Sequence, residues 1–91
     1  MTATQPETLS VEDTMRSLLA EVAHMRTDPT TLAATDDLFA AGLSSLATVD
    51  LMLAIEDRFE LEFTSAWLNR RTFASIAALS NAVRQMKEHA P

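Results

Sequence analysis

The chain has no cysteine, one glycine and three prolines among 91 residues. Without cysteine it cannot be a disulfide-stapled scaffold, cannot bind metal through thiolates and offers no protein sulfur as a nucleophile. A small β-sandwich or barrel would need more turn residues, so an all-helical fold is favoured. Long apolar runs are also missing, and no stretch approaches a membrane span. Met1 to Glu7 carry neither the basic stretch nor the apolar run of a secretory signal. Basic residues are few: 7 Lys and Arg against 13 Asp and Glu give a net charge of −6. That balance argues against a nucleic-acid binder, which needs a basic stripe to displace counterions from phosphate. It argues equally against docking on an anionic membrane, and its natural complement is a basic partner protein. With 47% hydrophobic and 22% charged residues, the composition is globular. The length leaves room for one core held by apolar packing alone. The expectation is a soluble, cytoplasmic, monomeric domain.

Residues 1–8 are polar and include a proline, so they are expected to fray, as are residues 87–91; the domain proper spans 9–86. Met1 and the two polar ends suggest a stand-alone chain, not a domain cut from a modular synthetase. Ser10 followed by Asp13 has the form of an N-terminal cap. Val11, Met15, Leu18, Val22 and Met25 then recur at helical spacing, with Leu19 widening the stripe, and predict a helix ending near Arg26 before Asp28-Pro29. Residues 27–44 have no sustained period. Leu32, Leu38 and Phe39 are placed to anchor this long loop, Asp36 to Phe39 suit a short helical turn, and Gly42 permits a sharp turn before the next helix.

Residues 45–59 have strong helical character, capped by Ser44 or Ser45. Two stripes emerge at about 100° per residue. Val49, Met52, Ile55 and Phe59 form the one assigned to the core. Leu46, Asp50, Leu53 and Asp57 form the second, with Glu56 at its edge. Two aspartates do not suit a buried stripe and two leucines do not suit a solvated one, so a protein-binding face explains both. Leu61 and Phe63 alternate with acids but have no partner strand. Ser65 to Arg70 suit one or two helical turns carrying Trp67 and Leu68. Thr72 reads as the cap of a last helix with Phe73, Ile76, Leu79 (or Ser80) and Val83 on its apolar side. The expected architecture is a small four-helix bundle: three main helices, one short helix and a long first loop. Charge is uneven along it: residues 28–62 carry a net −7 and residues 63–91 a net +3.

The segment from Asp37 to Phe59, Asp-Leu-Phe-Ala-Ala-Gly-Leu-Ser-Ser-Leu-Ala-Thr-Val-Asp-Leu-Met-Leu-Ala-Ile-Glu-Asp-Arg-Phe, resembles the acyl carrier protein family. The family pattern is an acid, Leu, a spacer, Gly, an apolar residue, then Asp-Ser-Leu opening an acidic, apolar helix. Here Ser44 stands where the family usually has Asp, and the serine that is modified falls on Ser45. Within the family, Ala-Ala-Gly-Leu-Ser-Ser-Leu, Leu-Met-Leu-Ala-Ile-Glu and Leu-Asn-Arg-Arg-Thr-Phe-Ala-Ser-Ile look most like the stand-alone aminoacyl carrier proteins. The resemblance implies a covalent 4′-phosphopantetheine on Ser45, taken from coenzyme A by a phosphopantetheinyl transferase. It implies a second partner, a ligase like the catalytic core of a seryl-tRNA synthetase. That ligase activates a small amino acid, glycine or alanine, with ATP and passes it to the arm's thiol as a thioester. It also implies that the chain is a phosphoprotein and a substrate of other enzymes, not an enzyme.

On this reading Ser45 needs no activating base, and the helix N-terminus favours the phosphodiester formed there. The absence of cysteine leaves the arm's thiol without an internal competitor. Leu46, Asp50, Leu53, Glu56 and Asp57 are then candidate partner-binding residues, acids steering and leucines supplying desolvated contact. Trp67, Leu68, Arg70 and Arg71 depart from the acidic short helix of fatty-acid carriers. Trp67 is either a cover on the core or a second contact for a ligase, and the two arginines suit either solvent or the arm's phosphate. The final acceptor of the cargo is open.

Other chemistries find little support. His24 and His89 form no defensible acid–base pair with Ser44 or Ser45. Asp36-Asp37 and Glu60-x-Glu62 lack calcium-loop spacing, and the five methionines read as core filler, so no metal site is expected. The competing readings are a fatty-acyl or polyketide carrier, and an unmodified acidic helical adaptor.

Overall fold

The computed structural model describes residues 10–88. Three helices, α1 (Val11–Val22), α2 (Ser45–Phe59) and α3 (Ile76–Glu88), follow in that order. Two single 3-10 turns, Pro29–Thr31 and Ser65–Trp67, lie in the connections, and no strand is present among the described residues. The expected short helix is thus the one turn that carries Trp67. The segment 1–8, expected to fray, lies outside the described residues. Of the segment 87–91, Lys87 and Glu88 form the last turn of α3.

Ser10 caps α1, its Oγ accepting the Asp13 N–H at 3.0 Å, and the first-turn acids Glu12 and Asp13 suit the positive end of the helix. Met15, Leu18 and Leu19 are buried, and α1 packs against both other helices. The helix stops at Val22, four residues short of the expected end, because His24 takes a left-handed backbone (φ 50°) and turns the chain. Met25 still packs against the core.

Residues 27–44 form no long helix, yet many of their backbone groups find partners, some within the loop and some on α1 and at the start of α3. Asp28 accepts from the N–H and Oγ1 of Thr30, and Pro29 is buried. Those two bonds stabilise the carboxylate and hold the Asp28 pKa below its ordinary value. Arg16 on α1 donates to the carbonyls of Pro29 and Leu32. Asp37 Oδ1 accepts from the N–H groups of Phe39 and Ala40 and starts the helical turn expected there. Leu38 is fully buried, and its N–H donates to Ala74 O at 2.8 Å, while the Ala77 N–H reaches Ala34 O. The loop is therefore stitched to the start of α3. Gly42 adopts φ +117°, and a Cβ there would stand 3.3 Å from the Arg26 backbone nitrogen. Both facts exclude a larger residue without strain.

The core face of α2 differs from the expected one. Ala47, Leu51 and Ile55 are buried, while Val49 is 49% exposed and Met52 and Phe59 are only partly covered. Apolar residues surround this helix almost completely, so spacing alone does not select a face; packing against α1 does. The cap of α3 also differs. Ser75 Oγ accepts the Ala78 N–H, whereas Thr72 donates both its N–H and its hydroxyl to Asn69 Oδ1. Thr72 therefore closes the preceding turn and does not open α3. Phe63 and Phe73 stack with centroids 5.5 Å apart and seal one side of the core.

Candidate functional site

The approach to α2 is held by hydrogen bonds within the turn that precedes it. The turn begun by Asp37 delivers Leu43 to the core and leaves Ser44 and Ser45 exposed. Ser44 has extended backbone (φ −88°, ψ 166°), and its Oγ accepts the Ala47 N–H at 3.0 Å. It is the cap, and serine does here what the family's aspartate can do. The Thr48 hydroxyl donates to Ser44 O and locks the first turn further. Ser45 is the first helical residue, and its hydroxyl has no hydrogen-bond partner among the described residues. Of the two adjacent serines, one is committed to structure and the other is presented to solvent.

Beside Ser45 lies an open groove of about 310 Å³. One wall is α2, through Ser45, Thr48, Val49 and Met52. The other is Phe39 from the preceding turn together with Leu68, Asn69, Arg70 and Phe73. The guanidinium of Arg70 lies over the Phe39 ring, 3.9 Å from its centroid. Sequence reasoning placed Val49 and Met52 in the core and so missed this groove. The two walls come from segments distant in the chain, and no local spacing joins them.

The remaining expected residues separate into groups. Leu46 (75% exposed), Asp50, Leu53 (54%) and Asp57 share the outward side of α2. Glu56 is part-buried, and its Oε2 accepts the Phe63 N–H at 2.9 Å, so its carboxylate ties α2 to the following loop. Trp67 is half-buried against the core, with Leu68 exposed beside it. Arg71 is exposed and does not line the groove. His24 ends α1 and is likewise not in the groove; His89 lies outside the described residues. No group of His, Asp and Glu among the described residues could hold a metal ion. Asp36 and Asp37 serve as loop and turn caps.

A phosphopantetheine group needs an accessible hydroxyl, room for a narrow chain beside it and a setting that tolerates an anion. Ser45 on the first turn of α2, the adjoining groove and the cation on its rim meet those needs. The family model for the phosphopantetheine attachment site matches residues 13–83. An aminoacyl carrier protein of Agrobacterium fabrum is 48% identical over 71 residues, covering 78% of this chain and 86% of that protein. The chain belongs to the aminoacyl carrier proteins. It is a phosphopantetheine-dependent carrier, as its sequence implied.

Solved structures agree on the fold of this carrier. One matching chain comes from a crystal structure of an engineered Bradyrhizobium japonicum glycine:carrier-protein ligase complexed with a carrier protein from Agrobacterium tumefaciens and ATP. It superposes with a TM-score of 0.79 at 45% identity, covering 82% of this carrier and 97% of that chain. A solution structure of an Agrobacterium tumefaciens protein gives a TM-score of 0.70 at 44% identity, covering 85% and 93%. No helix among the described residues is long and apolar enough to cross a membrane.

Proposed function

We propose that Ser45 is the attachment point of the phosphopantetheine arm and that the arm holds a small amino acid, glycine foremost. The observation that carries the assignment is the division of labour between neighbours: Ser44 Oγ is used by the Ala47 N–H, whereas the Ser45 hydroxyl is exposed and has no partner among the described residues. A phosphopantetheinyl transferase brings its own base, so the carrier need only present the oxygen. The arm supplies the thiol on which the amino acid rides as a thioester. The unpaired N–H groups at the start of α2 favour the phosphodiester's negative charge.

The glycine cargo and the loading enzyme are supported by the structures of a similar carrier with a glycine:carrier-protein ligase and ATP. On this reading the chain acts as a substrate of other enzymes and not as a catalyst, in the cytoplasm where ATP and coenzyme A are available. The outward side of α2 is the surface the ligase reads. Leu46 and Leu53 supply apolar contact, and Asp50 and Asp57 complement a basic partner. Glu56 contributes to that surface chiefly by holding α2 to its loop. Trp67, Arg70 and Arg71 sit on the segment across the groove and extend the surface toward the arm.

The test is intact-mass and peptide-mapping analysis after incubation with transferase and coenzyme A. Wild type and Ser44→Ala should each gain one phosphopantetheine, and Ser45→Ala none. Retention of the added mass by Ser45→Ala would refute the assignment, and no gain by wild type would favour an unmodified adaptor. Incubation of the loaded form with the ligase, ATP and panels of amino acids and fatty acids then identifies the cargo.

A further inference from the structure

Arg70 is the one ionised side chain among those lining the groove beside Ser45. Its setting is unusual for an exposed arginine. Its guanidinium carbon stands over the Phe39 ring, 3.9 Å from the centroid. No carboxylate or other hydrogen-bond acceptor engages it among the described residues. What sets Arg70 apart from the other cations among the described residues is its contact with an aromatic ring. Both ends of the contact are held by backbone. Asp37 accepts the Phe39 N–H at 2.9 Å, and Arg70 O accepts the Phe73 N–H at 3.2 Å in the turn that Asn69 closes.

A guanidinium uses its face for stacking and its edge for hydrogen bonding. Stacking on Phe39 occupies the face and leaves the in-plane N–H groups available. Those groups match the paired oxygens of a phosphodiester in a bidentate, charge-assisted contact. The stacking also removes rotamer freedom before the anion arrives, which lowers the entropy lost on binding. The groove's other lining is apolar or neutral, through residues such as Val49, Met52 and Phe73, and it suits an uncharged chain better than a charged amino acid.

We propose that Arg70, pre-positioned on Phe39, grips the phosphodiester of the arm and lays the first part of the arm along the groove. Arg70 is a positioning residue; it takes no part in the chemistry of attachment or loading. This inference rests on Ser45 being the attachment point. The outward side of α2 stays clear for a partner, because the arm departs over the opposite rim.

The test starts by confirming the arm on Ser45 by peptide mapping in wild type, Arg70→Gln and Arg84→Gln. Arg84 is an exposed residue of α3 outside the groove. NMR spectra of isotope-labelled apo and arm-bearing proteins then give the readout. In wild type, attachment should shift the Arg70 guanidinium protons and slow their exchange with water. The arm's geminal methyl groups, which neighbour the phosphate, should show nuclear Overhauser contacts to Phe39 or Met52. Arg70→Gln should lose those contacts while keeping the arm and the folded spectrum, and Arg84→Gln should keep them. Unchanged arm contacts in Arg70→Gln, or Arg70 resonances that ignore attachment, would overturn the role of Arg70 while leaving Ser45 intact. Absence of the arm from Ser45 in wild type would overturn the attachment reading, and this inference with it.

Discussion

α1 and α3 carry their large apolar residues on one side only, whereas α2 carries them almost all round. On α3, Ile76, Leu79, Val83 and Met86 are buried while Asn81, Arg84, Gln85 and Lys87 face solvent. On α2, Leu51 and Ile55 are fully buried, yet Leu46, Val49 and Leu53 are largely exposed. A helix that only completes a core has no need of apolar residues elsewhere. The excess on α2 sorts into two further surfaces. Val49 and Met52 line the groove beside Ser45, and Leu46 and Leu53 flank Asp50 and Asp57 on the outward side. On the reading proposed above, α2 serves stability, the arm and the partner with three different faces, whereas α1 and α3 each turn one apolar side to the core.

The sharpest way to break this division is to compare two aliphatic residues of α2 that differ in face. Leu51→Ala should lose about 2–5 kcal/mol of folding stability, the cost of a cavity in a packed core. Val49→Ala should stay within about 0.5 kcal/mol of wild type. Urea unfolding of the arm-free protein measures both. Similar losses for the two would return Val49 to the core and dissolve the groove as a separate face.

The outward face is separated from stability in the same way. Leu53→Ala should leave the urea midpoint near wild type, yet reduce kcat/KM for ligase-catalysed loading about tenfold, which corresponds to about 1.4 kcal/mol. Replacing Asp50 and Asp57 together by Ala should do less, because exposed charges contribute about 0–1 kcal/mol each. Its effect should be strongest at low salt, where charge steers approach. If both variants load at the wild-type rate across salt concentrations, the ligase reads another surface.

Much of this plan is legible in the residues themselves. Ser10 and Asp13 announce the start of α1, the one-sided spacing of α1 and α3 gives their buried faces, and Gly42-x-Ser-Ser-Leu marks the junction where Ser45 emerges. Local signals suffice there because each involves neighbours in the chain. The face of α2 is not legible, since apolar residues on every side make several stripes equally periodic. Only the packing partner on α1 decides between Val49 and Leu51. Thr72 illustrates a second limit. Asn69, Thr72 and Ser75 are all capping residue types within one short segment, and which caps what depends on where the turn closes. The stacking of Arg70 on Phe39 and the hold of Arg16 on Pro29 and Leu32 join segments far apart in the chain, so no periodicity encodes them.

The smallest effect tests the other half of the comparison, the one apolar side that α3 turns to the core. Its buried side contains one polar side chain, Ser80, whose Oγ is fully covered and has no hydrogen-bond partner among the described residues. A buried hydroxyl left unsatisfied costs about 1–3 kcal/mol. Ser80→Ala removes the oxygen, leaves only a small void and adds helix propensity. It should therefore raise stability by about 1 kcal/mol in urea unfolding. A loss of stability would instead show that the hydroxyl bonds back to a carbonyl of the preceding turn in solution. Because Ser80 is buried in the core and lies neither in the groove nor on the outward side of α2, the gain should come with no change in the rate of loading. A slower rate would mean that the core beneath α2 must remain imperfectly packed for its two outer faces to work.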